Sequence, residues 1–416
     1  MNAPETPQTQ CVIVGGGPAG MMAGYLLARA GVAVAVLEKH ADFFRDFRGD
    51  TIHPSTLELM YELGLLDEFL KLPHQELREL RGVINGQAVP IADFSKLPTH
   101  CKFIAFMPQW DFLNFLSSQA KRFPSFELHM QTEAVDLLIE NNRVTGVRAK
   151  TPGGELDFHA DLVIGADGRH SIIQMRAGFQ RRDFGVPIDA LWMRISKKQN
   201  DPEQTLGFFQ HGKLLVLLDR GDYWQCGFVI PKGGFEEIKA GGLLQFQKDI
   251  VSFAGFLRDR VGELDEWSKI KLLTVQINRL RDWCREGLLC IGDSAHAMSP
   301  AGGVGINLAI QDAVATANLL AEKLRSGPVS AADLRQVQDR REWPTRLIQG
   351  MQVFIHNHVV TGRSSGDKHS LPLVVRLLKW FPSLRQFPAR FVGIGPRPEH
   401  VRSPISPDNG RKFVAH

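Results

Sequence analysis

A strand, three glycines and a helix open this chain, and that order leaves few folds available. The run Cys11–Val14 is short and apolar and ends in Gly15-Gly16-Gly17, the pattern of a buried parallel strand leaving its sheet through a tight turn. Pro18 suits a first helical position, and Ala19 to Ala30 reads as a helix stopped by Gly31. Val32–Leu37 is a second strand, ending at Glu38. The product is one βαβ unit carrying Gly15-x-Gly17-x-x-Gly20 and an acid 21 residues beyond Gly17. Glycines allow close approach of backbone to a pyrophosphate, the helix N-terminus offers free N–H groups to that anion, and the carboxylate accepts from ribose hydroxyls. Gly15, Gly17, Ala19, Gly20 and Glu38 are therefore expected to bind a dinucleotide, of a kind this motif alone does not specify.

The remaining chain is long enough for more than one domain. Its 416 residues are 44% hydrophobic and 23% charged, which excludes disorder and coiled coil as the main state. Net charge is only +4 and the basic residues are scattered, so no nucleic-acid partner is expected. Five cysteines without a C-x-x-C pair fit a reducing compartment, and His356-x-His358 lacks an acidic partner, so no metal site is expected. The N-terminus lacks a signal-peptide charge pattern, and a cytoplasmic protein is predicted.

Residues 54–70 and Trp110–Phe123 read as helices. Ala134–Ile139, Arg143–Lys150 and Leu156–Ile164 read as strands joined by turns at Asn141-Asn142 and Pro152-Gly153-Gly154. A second strand-rich block holds Ala190–Ile195, Leu214–Leu218, Tyr223–Ile230 and Leu272–Asn278, with helical sequence near 235–260. Leu288–Ile291 returns to a buried strand before a long helix, Ile306–Leu324, and a second over 330–360 kinked at Pro344. The fold class is α/β: a Rossmann-like domain with a parallel sheet, interleaved with an α+β substrate domain on a mixed or antiparallel sheet. The nucleotide domain is assigned to 1–75, 100–180 and 280–325, the substrate domain to 76–99 and 181–279, and a helical C-terminal region to 326–416.

Three further motifs narrow the cofactor. Leu288–Ile291 runs into Gly292-Asp293-Ser294-Ala295-His296, and Ser299-Pro300-Ala301-Gly302-Gly303-Val304-Gly305-Ile306-Asn307 opens the long helix. Asp161–Ile164 leads to Gly165-Ala166-Asp167-Gly168-Arg169-His170-Ser171, and Arg48-Gly49-Asp50-Thr51-Ile52-His53-Pro54 precedes the 54–70 helix. In this order, over residues 11 to about 325, the set closely resembles the class A flavoprotein aromatic monooxygenases, the p-hydroxybenzoate hydroxylase-like family. The resemblance implies that Asp293 binds the ribityl chain of FAD, that Pro300 lies beside the flavin ring, and that the backbone of Gly305, Ile306 and Asn307 meets its pyrimidine edge. It places Arg48 near flavin and pyrophosphate, and gives Asp167 and Gly168 to both FAD and the nicotinamide cofactor. Gln109 stands where arginine is common, and Val135 supplies a backbone contact. With only one dinucleotide fingerprint, NADH or NADPH is expected to bind transiently as co-substrate.

The family resemblance implies an NAD(P)H- and O2-consuming enzyme that hydroxylates an aromatic or polycyclic small molecule through a flavin C4a-hydroperoxide. The second strand block would roof the flavin, with Trp192, Arg194, Phe208, Phe209, His211, Leu215, Tyr223, Trp224 and Phe228 as candidates to face it. Alternation turns only half of them inward, and the parity is open at this point. Tyr223, His211 and Arg194 are the polar groups able to bind or ionise a phenol, and with Pro300 they form the candidate catalytic set. His53 and His296 read as hydrogen-bonded structural histidines. Rival readings are an FAD-dependent reductase or dehydrogenase, a non-catalytic flavin module, and a halogenase. The halogenase motif Trp-x-Trp-x-Ile-Pro is replaced by Cys226-Gly227-Phe228-Val229-Ile230-Pro231, without either tryptophan. A monomer or homodimer is expected. The tail over Leu371–Gly395 sets Arg376, Lys379, Arg385 and Arg390 among Leu, Phe and Trp, and helices capping the substrate domain are preferred there over membrane contact.

Overall fold

A computed structural model describes residues 8–44, 51–84, 87–202, 205–210, 213–357 and 373–407. Its first layer is a sheet in the order Cys284–Arg285, Leu288–Cys290, Gly154–Gly165, Gln8–Val14, Val34–Leu37, Phe126–His129. The strands from Leu288–Cys290 to Phe126–His129 are parallel; the inner ones are nearly all Val, Ile, Leu, Ala or Cys where they pair, as burial on both faces requires, while the edge strand Phe126–His129 exposes Glu127. The Pro18–Arg29 and Gly305–Ser326 helices pack on this sheet and on each other, and an added Cβ at Gly292 would lie 3.1 Å from the Ala19 Cβ and 3.2 Å from that of Ala309.

Gly154–Gly165 serves two sheets' worth of neighbours. Its second half runs parallel to Gln8–Val14, while its first half pairs antiparallel with Arg143–Thr151, which turns back to Glu133–Glu140. That turn is made by Asn141 (φ 48°) and Asn142 (φ 65°), the two consecutive left-handed residues of a tight hairpin and the residue type that tolerates them best after glycine.

The second large sheet has the order Lys271–Leu273, Ile188–Ser196, Tyr223–Pro231, Lys213–Asp219, Leu206–Gln210, Glu79–Ile84, Gln87–Asp93. Every pair in it is antiparallel except Leu206–Gln210 beside Glu79–Ile84, where two chain segments far apart in sequence join. One face, bearing Leu191, Met193, Ile195, Leu215, Leu217, Trp224, Cys226 and Phe228, packs against Phe246 and Ile250 of the Leu243–Phe253 helix. The protein is thus a mixed α/β fold with a parallel and a largely antiparallel sheet.

Two expectations about elements need correction. Leu272–Asn278 is two short strands, Lys271–Leu273 and Asn278–Leu280, because the chain leaves the second sheet here to pair with Arg181–Asp183. Between them the buried Asp189 carboxylate takes the Val275 N–H at 2.9 Å, replacing the lost ladder. Residues 54–70 form two helices, Pro54–Glu62 and Leu66–Phe69, divided at Gly64 with φ +69°. The expected long helix is present as Ala331–Ile355, with Pro344 inside it.

Candidate active site

The crevice at the C-terminal ends of Gln8–Val14, Gly154–Gly165 and Leu288–Cys290 gathers three of the predicted motifs. Gly15 has φ +108°, and a Cβ there would lie 2.4 Å from the Ala166 carbonyl oxygen. A Cβ on Gly20 would stand 1.9 Å from the Gly15 oxygen, so the helix and loop touch through bare backbone. Gly17 has nothing within 4 Å of its missing Cβ; it caps the Pro18–Arg29 helix without a side-chain hydrogen bond. The first helical bond is Met21 N–H to Gly17 oxygen, leaving the N–H groups of Ala19 and Gly20 ahead of the ladder. A glycine-floored cradle at an open helix N-terminus fits the pyrophosphate of a dinucleotide.

Glu38 follows Val34–Leu37 and is buried at the edge of this cradle. Its Oε2 accepts the Gly16 N–H and its Oε1 the His40 N–H, both at 3.0 Å, so the acid also braces the glycine loop.

Asp293 comes from the end of Leu288–Cys290 and is partly open to the crevice. Arg169 Nε approaches its Oδ2 at 3.2 Å, which ties two of the motifs together and leaves Oδ1 for a hydroxyl-bearing ligand. Asp167 is held within its own turn: Oδ1 accepts from Ser171 Oγ at 2.5 Å and Oδ2 from the Ile173 N–H at 3.2 Å. Packing pushes this carboxyl above its ordinary range, against the pull of those bonds. The carboxylate shapes the turn, and the Gly168 backbone, at φ +83° with nothing within 4 Å of its missing Cβ, is what the turn presents.

The Pro300–Asn307 segment is bent by Gly302 (φ +80°) and Gly303 (φ +63°). Pro300, partly exposed, accepts the Gly303 N–H on its carbonyl at 3.0 Å. Asn307 is the clamp. Its Oδ1 accepts the His53 N–H at 3.0 Å and Thr56 Oγ1 at 2.7 Å, and its Nδ2 reaches the Thr51 and Gly303 carbonyls at 3.3 Å. The first bond of the helix is Leu308 N–H to Val304, so the N–H groups of Gly305, Ile306 and Asn307 precede the ladder at an uncapped positive end. A ring bearing negative charge along one edge fits such a terminus. Gln109 opens the Gln109–Ala120 helix and is partly exposed; Val135, on the Glu133–Glu140 strand, has its carbonyl engaged by Arg176 Nε at 3.2 Å.

The structure also resolves which roof residues face inward. Phe208, Leu215, Trp224 and Phe228 point to the helical layer, where their burial is core packing; this corrects their candidacy for the pocket. Trp192, Arg194, Phe209 and Tyr223 alternate to the other face. That face meets the rest of the protein through Leu218, which packs with Leu77, Phe94 and Phe106. Phe106 pairs with Thr51, and Thr51 Oγ1 donates to the Gly303 carbonyl at 2.9 Å. Arg194 stacks its guanidinium 4.7 Å from the Tyr223 ring centre. Trp192 lies against Gly227, whose added Cβ would meet the indole at 3.1 Å, and its buried Nε1 finds no acceptor among the described residues. His211 and Arg48 lie outside the described residues.

Sequence reasoning missed the buried charges beneath the cradle. Asp312 Oδ2 accepts the Gly292 N–H at 3.0 Å and meets His296 Nε2 at 2.6 Å, while Oδ1 takes Arg341 Nε at 3.0 Å. Arg341 reaches on to Glu399 at 3.4 Å. An acid on the buried side of an apolar helix was the available signal. Both motif histidines are held by hydrogen bonds, as expected: His296 by Asp312, and His53 by the Val392 carbonyl at 2.7 Å. Burial drives the His53 pKa down to about 4, so the ring is neutral near pH 7.

A family model described as an FAD binding domain matches residues 8–350. The 6-methylpretetramide 4-monooxygenase of Streptomyces rimosus is 30% identical over 403 residues, covering 95% of this chain and 95% of the relative. Among solved structures, the OxyS anhydrotetracycline hydroxylase from Streptomyces rimosus aligns with TM-score 0.73 at 22% identity, over 93% of this chain and 76% of that one. The myxobacterial chondrochloren halogenase CndH aligns with TM-score 0.72 at 19% identity, over 92% and 97%, so this fold is shared with halogenases. Family model, nearly full-length relative and glycine cradle agree: the chain belongs to the FAD-dependent aromatic monooxygenases of the p-hydroxybenzoate hydroxylase-like family.

Proposed function

We propose that this monooxygenase hydroxylates a phenol-bearing polycyclic substrate held between the inner face of the second sheet and the Pro300–Asn307 segment, working in the cytoplasm as a monomer or homodimer. FAD supplies the oxygen chemistry, activating O2 with reducing equivalents from NADH or NADPH. Gly15, Gly17, Ala19, Gly20 and Glu38 would hold its adenosine and pyrophosphate, Asp293 its ribityl chain, and Gly305–Asn307 the flavin edge.

The observation that carries the reading is the composition of the inner roof: Trp192, Phe209 and Tyr223 share the face whose Leu218 packs on Phe106, the strand partner of Thr51, which bonds Gly303 ahead of the uncapped helix. Flat aromatic side chains suit a flat, fused-ring ligand. Tyr223 and Arg194 are the polar groups on that face suited to a phenol: the guanidinium favours the phenolate electrostatically, and the tyrosine hydroxyl can pass a proton. The nearly full-length similarity to a 6-methylpretetramide monooxygenase supports a polycyclic substrate. The halogenase reading is less well supported, because Cys226 and Phe228 stand where that motif carries tryptophan and both face the helical layer.

The test is a panel of mono- and polycyclic phenols mixed with purified holoenzyme, NAD(P)H and O2. Polycyclic members are expected to accelerate NAD(P)H oxidation and yield a product about 16 Da heavier, the mass of one oxygen atom on a cofactor-dependent turnover. Oxidation that yields hydrogen peroxide alone across the panel, or hydroxylation confined to single-ring phenols, would refute the substrate assignment.

A further inference from the structure

The tail has a feature that oxygen chemistry does not use. Leu373–Trp380 is a helix, Pro382–Arg385 a single tight turn, and Gln386–Gly393 a second helix, so residues 381–385 join two short helices. Its inner side is firmly seated. Ala389 is buried with Leu77, Phe94 and Phe106, and a Cβ on Gly393 would lie 2.9 Å from Leu97 and 3.3 Å from Pro54. Arg385 staples the turn: Nε donates to the Leu378 carbonyl at 3.0 Å, and Nη1 stands 3.9 Å from Glu79.

The outer side is the opposite of what a soluble surface selects. Trp380, Phe381 and Phe387 are 62%, 52% and 64% exposed, on a turn held in place by its own hydrogen bonds. Arg376, Lys379 and Arg390 are exposed around them, and Arg376 lies 5.0 Å from the Trp380 ring centre. No Asp or Glu occurs from residue 373 to 398. The neighbouring acid, Glu79, is already engaged by Arg81 at 2.6 Å.

We infer that this helix–turn–helix tip docks on an anionic lipid surface. Large aromatics flanked by cations match the level of a bilayer where apolar chains meet phosphates, and the missing acids remove the repulsion such a surface would exert. A protein partner would be expected to meet pockets and directional polar groups; apart from the three cations, the exposed residues around the turn offer Ser383, Gln386 and the indole N–H. Contact is peripheral. Among the described residues, the one helical segment long and apolar enough to span a bilayer, within Ala301–Ser326, has 83% of its most apolar stretch buried in the fold. The tip is also joined to the flavin-edge clamp, since Val392 accepts from His53, whose own N–H bonds Asn307.

Full-length holoenzyme is mixed with vesicles of phosphatidylcholine alone, or containing about a third phosphatidylglycerol, and sedimented. Binding is expected only with the anionic lipid, reversed by salt. Each of Arg376→Gln, Lys379→Gln and Arg390→Gln should weaken it about fivefold. The triple change Trp380→Ser, Phe381→Ser, Phe387→Ser should weaken it at least about tenfold while FAD content and NAD(P)H oxidation with a water-soluble phenol stay unchanged. Protein left in the supernatant with anionic vesicles, equal binding to neutral ones, or full binding by the triple variant overturns the inference. So does a dimer in sedimentation velocity that the triple variant dissolves, which would give the tip to a second copy.

Discussion

Asp312 and Arg341 meet 3.0 Å apart with almost no exposure to water, on two helices that the chain visits 29 positions apart. The pair is joined to the proposed flavin site by one atom. The second oxygen of Asp312 holds the Gly292 N–H, immediately before Asp293, the proposed ribityl ligand. Removing one member of a buried pair strands the other charge, at a cost of about 3–5 kcal/mol. Arg341→Met should therefore lose about that much stability to urea and release FAD earlier in the titration than the wild type. The checks are flavin fluorescence and far-UV circular dichroism followed together.

Acid should act through His53. The unfolded chain takes up this proton near pH 6.5, and the folded chain only near about 4, because burial disfavours the charged ring. Between those values the unfolded state binds more protons, so stability is whole above pH 6.5 and falls as pH drops toward 4, by roughly 3 kcal/mol in total. Denaturant midpoints at pH 7 and pH 5 should differ in the wild type. In His53→Asn the difference should shrink, and an unchanged difference would remove His53 from the account. Asp312 acts lower on the scale. Burial pushes its carboxyl up, but His296, Arg341 and the Gly292 N–H outweigh burial and hold it below the ordinary range. Its contribution is complete above the unfolded carboxylate pKa and is lost only as pH falls through the depressed folded value.

The glycine loop gives a prediction about affinity. Gly15→Ala would combine a left-handed backbone with a Cβ 2.4 Å from the Ala166 oxygen. Gly17→Ala meets no protein atom, yet places a methyl where the pyrophosphate would lie. The two variants should part: both lose FAD on gel filtration, while only Gly15→Ala also loses thermal stability as apoprotein. Gly17→Ala retaining full FAD would show that the anion sits elsewhere.

Gly17 meets no local backbone demand and follows from the ligand motif alone, whereas Gly15 and Gly20 were readable from sequence because each answers to such a demand. The same holds for Asn141-Asn142, whose turn follows from two residues. Long-range geometry was not readable in this way. The face of Phe228 depends on the Leu243–Phe253 helix covering one side of its sheet, and nothing in Tyr223–Pro231 itself records that choice. Leu272–Asn278 has the composition of one strand but changes partners midway, because Asp189 offers its carboxylate to Val275. Asp167 stands in an expected ligand motif, yet its carboxylate is taken up by Ser171 and Ile173, a use visible only once the turn is built.

Tyr223 and Trp192 should separate chemistry from fit. Tyr223→Phe keeps the ring beneath Arg194 and removes only the hydroxyl, so it should lower kcat about 10²-fold or more if that group carries the phenol's proton. The loss should lessen at high pH, where the substrate ionises unaided. Trp192→Phe leaves a smaller ring over Gly227 and removes the buried Nε1 donor, so it should raise KM for polycyclic phenols with little change in kcat. The two pH profiles and the split between kcat and KM are the readouts. Equal effects of both variants on KM alone would make the inner roof a binding surface only, with proton transfer left to solvent or to groups outside it.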